Sequence, residues 1–145
     1  MKLIPIFESG MHTFQELPLE AKRSLAIWYY EEGDIDFRSE LGKGAQPKDW
    51  QKDMKFVDKL VQICSKAEEI EGNKYGYEIL DLSAIDDLIG GNGDSYSEIW
   101  NSEETKVFPI IMDKSRDKEY MIADGWHRLG RYHVQGVKKV PVVWA

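Results

Sequence analysis

A chain of 145 residues with 42% hydrophobic and 31% charged residues has the composition of one ordinary globular domain with a real core. Its formal net charge of −7 weighs against broad electrostatic attachment to nucleic acid or an anionic membrane. The single cysteine, Cys64, excludes an intramolecular disulfide and a cysteine-based zinc site, and no apolar run reaches the roughly 20 residues of a membrane span. The opening MKLIPIF is too short for the apolar region of a signal peptide, so the expected location is the cytoplasm.

In chain order, residues 13–31 (TFQELPLEAKRSLAIWYYE) read as the first helix. Thr13 and Glu16 have capping-box spacing, and Pro18 suits a first turn. Leu17, Ala21, Leu25 and Trp28 make its apolar face, and Gly33 ends it. A charged, glycine-rich linker follows, with a short helical turn at its middle. Pro47 opens a longer helix to about Ile70, with a stripe of Trp50, Met54, Val57, Leu60, Val61, Cys64 and Ala67. Cys64 on that stripe is an inert core thiol.

After residue 75 the pattern changes. YGYEILDLS reads as a strand, and Ser83 caps a short helix to about Ile89. GGNGDS at 90–95 is a connecting loop; without a following Gly-Lys-Ser/Thr it is no phosphate cradle. A short amphipathic helix, SYSEIWNSEE, comes next. VFPIIMD (107–113) and EYMIAD (119–124) are strands around the polar turn KSRDK. A helix spans 126–135 with Gly136 as a left-handed cap, and KKVPVVW (138–144) closes as a strand. The order is two helices, then β-α-α-β-β-α-β, an α+β protein with a mixed sheet. Residues 1–74 form a helical extension packing on a core of 75–145, one compact unit overall.

The chemistry concentrates in MIADGWHRLGRYHVQG, residues 121–136. A strand hands over to a helix through Asp-Gly, and the first turn carries His127 and Arg128. Cations are electrostatically wrong at a helix start, where the macrodipole is already positive. A helix N-terminus with glycine before it binds phosphate well, and an imidazole and a guanidinium add donors. The pattern therefore expects an anion that the protein itself does not supply. Asp124 either caps the helix or, beside a phosphate, holds Mg²⁺ or accepts a proton from an attacking hydroxyl. Arg131 shares the face of His127 and Arg128 and either reaches the same anion or is a solvated surface residue. Trp126 either packs in the first turn or stacks on a base. His133 lies on another face, is structural, and is wrongly spaced from His127 for a metal pair. A basic patch of Lys114, Arg116, Lys118, Arg128, Arg131, Lys138 and Lys139 marks the last third.

FPIIMDKSRDKEYMIADGWHRLGRYHVQGVKKVPVVW resembles the core of the ParB/sulfiredoxin superfamily: strand, hairpin, strand, a Gly-x-His-Arg loop, helix, glycine, and a Val-Pro-Val strand. The resemblance covers about residues 105–144 and reaches back to the strand near 77–82; residues 1–70 lie outside it. It implies a ParB/sulfiredoxin-like mixed sheet with an N-terminal two-helix extension. Members bind ATP or CTP, often with Mg²⁺, and include sulfiredoxins, CTP-hydrolysing partition proteins, nucleases and a free-serine kinase. Residue by residue, Gly125, His127 and Arg128 become the phosphate loop, with Trp126 and Arg131 beside the nucleotide and Asp124 as metal ligand or base. Ser97, Glu98 and Lys106 fall on the helix that faces the nucleotide in the family.

The chain departs from that pattern in two ways. Sulfiredoxins carry a cysteine before the His-Arg pair; Trp126 stands there, leaving sulfinic-acid repair without a nucleophile. No helix-turn-helix follows the domain, which argues against sequence-specific DNA binding. TFQELPLEAKRSLAIWYYEEG also resembles an opening common in small proteins of tailed bacteriophages, which would place the protein in a host cytoplasm. The expected function is a nucleotide-dependent enzyme that transfers or hydrolyses a phosphoryl group, its partners a nucleoside triphosphate, Mg²⁺ and a small-molecule acceptor. The alternatives are a small nuclease acting on a phosphodiester, and a non-catalytic protein that binds or inhibits a host protein, as in phage anti-defence.

Overall fold

Among the described residues, short 3₁₀ turns and capping glycines mark where several of the helices begin and end. The computed structural model describes residues 11–42, 46–89, 109–113 and 122–145, with Trp126 and His127 described by their backbone alone. The expected loop at 90–95, the helical segment over 95–106 with Ser97, Glu98 and Lys106, and the KSRDK turn lie outside the described residues. The chain divides into two units: Thr13–Asn73, and Lys74–Ala145 together with the segment that ends at His12.

In the first unit the expected single helix over 13–31 is a 3₁₀ turn followed by a helix. Thr13 N–H donates to Glu16 Oε1 at 2.7 Å, closing the capping box on Phe14–Glu16. Leu17 then leaves helical geometry (φ −71°, ψ 152°), as a residue before proline tends to do. Helix α1 (Leu19–Glu32) starts after Pro18 and stops at Gly33, whose φ of 76° suits glycine. The linker's helical turn is α2 (Arg38–Leu41), whose opening amides of Arg38 and Ser39 donate to the Asp36 carboxylate.

The expected long helix from 47 to 70 is broken into three. A 3₁₀ turn (Trp50–Lys52), α3 (Met54–Lys66) and a second 3₁₀ turn (Glu68–Ile70) are separated by extended Asp53 and Ala67. Asp53 interrupts because its side chain accepts from Phe56 N–H at 3.2 Å, starting a new helix there. Helices α1 and α3 pack together, and Ala21 and Leu25 of the one and Val57, Leu60 and Cys64 of the other are buried. Tyr30 meets Phe37, Trp50 and Phe56 edge-on at centroid distances of 5.3, 4.8 and 5.7 Å. Arg23 grips Asp58 with two hydrogen bonds of 2.8 and 3.1 Å.

The second unit is a four-stranded mixed sheet with helices, so the chain as a whole is α+β. Strands β1 (Gly76–Asp81), β2 (Ile110–Met112), β3 (Ile122–Asp124) and β4 (Lys139–Trp144) lie in the order β1-β4-β2-β3. Pairing is antiparallel for β1–β4 and β2–β3 and parallel for β2–β4. Helix α4 (Leu82–Ile89) starts directly from β1, so Ser83 sits within the helix rather than capping it. Helix α5 (Trp126–Gln135) occupies the expected range and ends at Gly136 with φ 69°. There Val137 N–H reaches Tyr132 O at 3.0 Å, the long bond of a Schellman ending.

The period-two pattern of the strands puts Ile110, Met112, Val140, Val142 and Trp144 on one face, where they meet Leu82 and Ile85 of α4 and Leu129 and Tyr132 of α5. This core fixes α5 along the sheet and so fixes where its N-terminus emerges. Among the described residues, no helix is long and apolar enough to cross a membrane.

Candidate functional site

Glycine at 125 is a geometric requirement of the turn between β3 and α5. Its φ is 114°, and a Cβ there would stand 3.3 Å from both Cγ1 and Cγ2 of Ile110. The turn therefore lies tightly on the start of β2, and its glycine serves that packing. Leu129 N–H returns to Gly125 O at 2.8 Å, so the helix is fully formed from its first turn. The N–H groups of such a turn have no carbonyl within the helix and carry the positive end of the dipole.

Arg128 stands in the first turn of α5 and faces back toward the strands. Its Nη2 donates to Asp124 Oδ2 at 2.7 Å, and its Nη1 donates to the carbonyl of Pro109, the residue before β2. The pair is partly shielded, with 17% of the Arg128 side chain and 27% of the Asp124 side chain exposed. One guanidinium thus joins the end of β3 to the approach of β2. The negative charge expected at this helix start is present, and the protein supplies it. The i, i+4 spacing was visible in the sequence.

The remaining candidates fall in different places. Arg131 is 1% exposed, with its guanidinium carbon 5.2 Å from the ring centroid of Tyr132, so the solvated-surface reading fails. Its burial also breaks up the expected basic patch. Of the patch residues described, Arg128 is half-buried and Lys138 and Lys139 are exposed, with Lys139 on Asp81 at 2.8 Å. Lys114, Arg116 and Lys118 lie outside the described residues. Trp126 and His127 belong to α5 by their backbone, and their side chains lie outside the described set. His133 Nε2 is 3.1 Å from Asp86 Oδ1, tying α5 to α4 in the structural role expected of it.

Sequence reasoning missed two features. The Pro109 carbonyl, an acceptor for Arg128 from 19 residues away, has no signature in the side-chain pattern. In the helical unit a groove of about 500 Å³ runs beside α3, with Ile35, Leu41 and Ile63 among its walls and Asp36, Glu40 and Glu69 at its rim. Cys64 is fully buried; burial chiefly, and the nearby Glu69 charge, push its thiol up to about 12, so it is no nucleophile at neutral pH.

Among the described residues no group of three or more His, Cys, Asp or Glu side chains is arranged to hold a metal ion. A Mg²⁺ ion bound through one carboxylate and phosphate oxygens needs no such group, and Asp124 fits that mode. Comparison with protein-family models, with curated proteins and with solved structures returns no match.

Proposed function

We propose that the sheet-bearing unit is a ParB/sulfiredoxin-like nucleotide-binding enzyme that transfers or hydrolyses a phosphoryl group. The observation that carries this reading is the β3–Asp124–Gly125–α5 handover, which places a helix N-terminus, a guanidinium and a carboxylate at one strand end. The order of antiparallel β2–β3, turn, helix, Gly136 and a Val-Pro-Val strand parallel to β2 supports the same reading.

In this reading the amides of the first turn of α5 and Arg128 bind the triphosphate, with His127 as a further donor from the same turn. Their fixed positive charge stabilises the negative charge that spreads over the transferred group. Mg²⁺, when bound with the nucleotide, neutralises phosphate charge. Asp124 would hold it or accept a proton from the attacking hydroxyl. The arrangement does not select among ATP, CTP and GTP.

A second reading has two observations in its favour. Gly125 is already explained by Ile110, and Arg128 is already engaged by Asp124 and Pro109, so the turn is complete as a structural clasp. The protein is then a non-catalytic binding module. A thermal-shift screen with ATP, CTP and GTP, each with Mg²⁺, separates the two. A nucleotide at 100 times its Kd adds about 2.7 kcal/mol, and Arg128→Ala and His127→Ala should abolish that gain. A screen without any shift gives the answer to the binding module.

A further inference from the structure

Among the described residues β1 is an edge strand: β4 pairs with it on one side, and no described strand pairs with it on the other. Which of its backbone groups face outward is fixed at both ends. Leu82 N–H, directly after β1, donates to Lys138 O on the β4 side at 2.8 Å. Backbone groups alternate along a strand, so Gly76, Glu78 and Leu80 also turn theirs toward β4. Tyr75, directly before β1, exchanges two hydrogen bonds of 2.7 Å with His12, one in each direction. Tyr77, Ile79 and Asp81 share the parity of Tyr75 and turn their backbone groups to the outer side, where His12 lies. His12 is therefore one antiparallel rung on that edge, and its direction carries the preceding chain along β1.

We propose that residues 6–11 continue this ladder as a fifth strand on the outer edge of β1. In a regular ladder the His12–Tyr75 rung pairs Gly10 with Tyr77, Glu8 with Ile79, and Ile6 with Asp81, where β1 ends. Three sequence features fit that register. Pro5 has the parity whose N–H would point away from β1, and it falls opposite Leu82, where β1 has already passed into α4. A proline is tolerated at that place, the start of an edge strand. Gly10 comes opposite an aromatic residue, a pairing that compensates for its missing side chain. Phe7 comes opposite Leu80, on the face where Leu80 packs against the core. The strand would also cover an edge that carries Ile79, 60% exposed, and that would otherwise be a template for another chain. Residues 6–10 lie outside the described residues, and the rung and the sequence carry the assignment.

Hydrogen exchange and thiol pairing in the full chain test it. The outward amides of Ile79 and Asp81 should exchange at least about tenfold more slowly than in Glu8→Pro, which removes the donor facing Ile79. Ser9→Pro, at a position whose N–H faces away, should leave them protected. The Glu78 and Leu80 amides, turned toward β4, are the internal reference. With Cys64→Ala removing the native thiol, Phe7→Cys with Leu80→Cys should close a disulfide, because directly opposed residues at such a position lie about 4.5 Å apart. Phe7→Cys with Ile79→Cys is one residue out of register, on opposite faces, and should stay open. A melting curve of each reduced variant checks that it folds. Fast exchange at Ile79 and Asp81 in the unmodified chain, equal behaviour of the two proline variants, or closure of both cysteine pairs or of neither would each overturn the assignment. Protection that rises with chain concentration would give the edge to a second copy and overturn it as well.

Discussion

Trp144 and Glu78 are joined across the sheet: the indole Nε1–H donates to Glu78 Oε2 at 2.7 Å, and the indole is fully buried. The register of β1 on β4 makes this possible. Glu78 pairs with Val142 and Gly76 with Trp144, so Glu78 and Trp144 are on the same face, two residues apart along the strand. Glu78→Ala would leave a buried donor without its acceptor and should cost about 1 to 3 kcal/mol in urea unfolding. Glu78→Gln keeps an acceptor oxygen and should cost clearly less. Equal losses would mean that the glutamate acts through packing rather than through this bond.

That contact also shows where the sequence stops being readable. Helix α5 was legible because Gly125 and Gly136 punctuate it and Leu129 and Tyr132 mark one face. The mixed sheet was legible because its strands are short, β-branched runs between turn residues. The partner of a strand residue depends on register, which is set by pairing across the fold, so the bond between Glu78 and Trp144 left no local trace. Asp53 misled for a different reason. The apolar stripe runs through it without interruption, and only its own side chain, turned back onto Phe56 N–H, breaks the helix. Arg131 misled because charge predicts exposure, and its burial against Tyr132 is decided by packing. At the site, the pairing of Asp124 with Arg128 gives the helix start an internal anion that the sequence pattern alone did not assign.

The helix restart at Asp53 can be tested directly. Its Oδ1 accepts from Phe56 N–H at 3.2 Å, and Phe56 is buried beside the aromatic cluster. Asp53→Ala should cost about 1 kcal/mol, while Asp53→Ser and Asp53→Asn, which still cap, should lie within a few tenths of the unmodified chain. Urea unfolding of the three variants measures this. An alanine variant as stable as the asparagine one would mean that the break is imposed by packing and not by the cap.

Cys64 has a pH signature of known sign. Burial raises its thiol from an ordinary 9.0 to about 12, so the folded chain keeps a proton that the unfolded chain releases. The stabilisation is fully present below pH 9. It declines as pH rises from 9 toward 12, because the unfolded state then binds fewer protons than the folded one. Stability measured against pH over that window should fall less steeply in Cys64→Ala than in the unmodified chain. The same burial predicts that iodoacetamide labels Cys64 at the rate of unfolding. Rapid labelling of the folded chain at pH 8 would contradict it.

Two glycines with positive φ separate conformational cost from steric cost. Gly136 (φ 69°, ψ 27°) lies in the left-handed well, with nothing within 4 Å of the position a Cβ would take. Gly136→Ala should therefore cost about 1 kcal/mol, the ordinary penalty for an L-residue in that conformation. Gly125 (φ 114°, ψ 16°) is left-handed too, with a larger φ, and its added methyl would press on Ile110 at 3.3 Å. Gly125→Ala combines backbone strain with displacement of β2 and should cost about 2 kcal/mol or more. Shortening the neighbour isolates the steric part. Ile110→Val on the Gly125→Ala chain should recover some of the loss, whereas on the unmodified chain it should only destabilise, by about 1 kcal/mol. A double variant whose loss is the plain sum of the two single losses would show that the methyl does not meet Ile110, and that the turn at Asp124–Gly125 is not pressed onto β2.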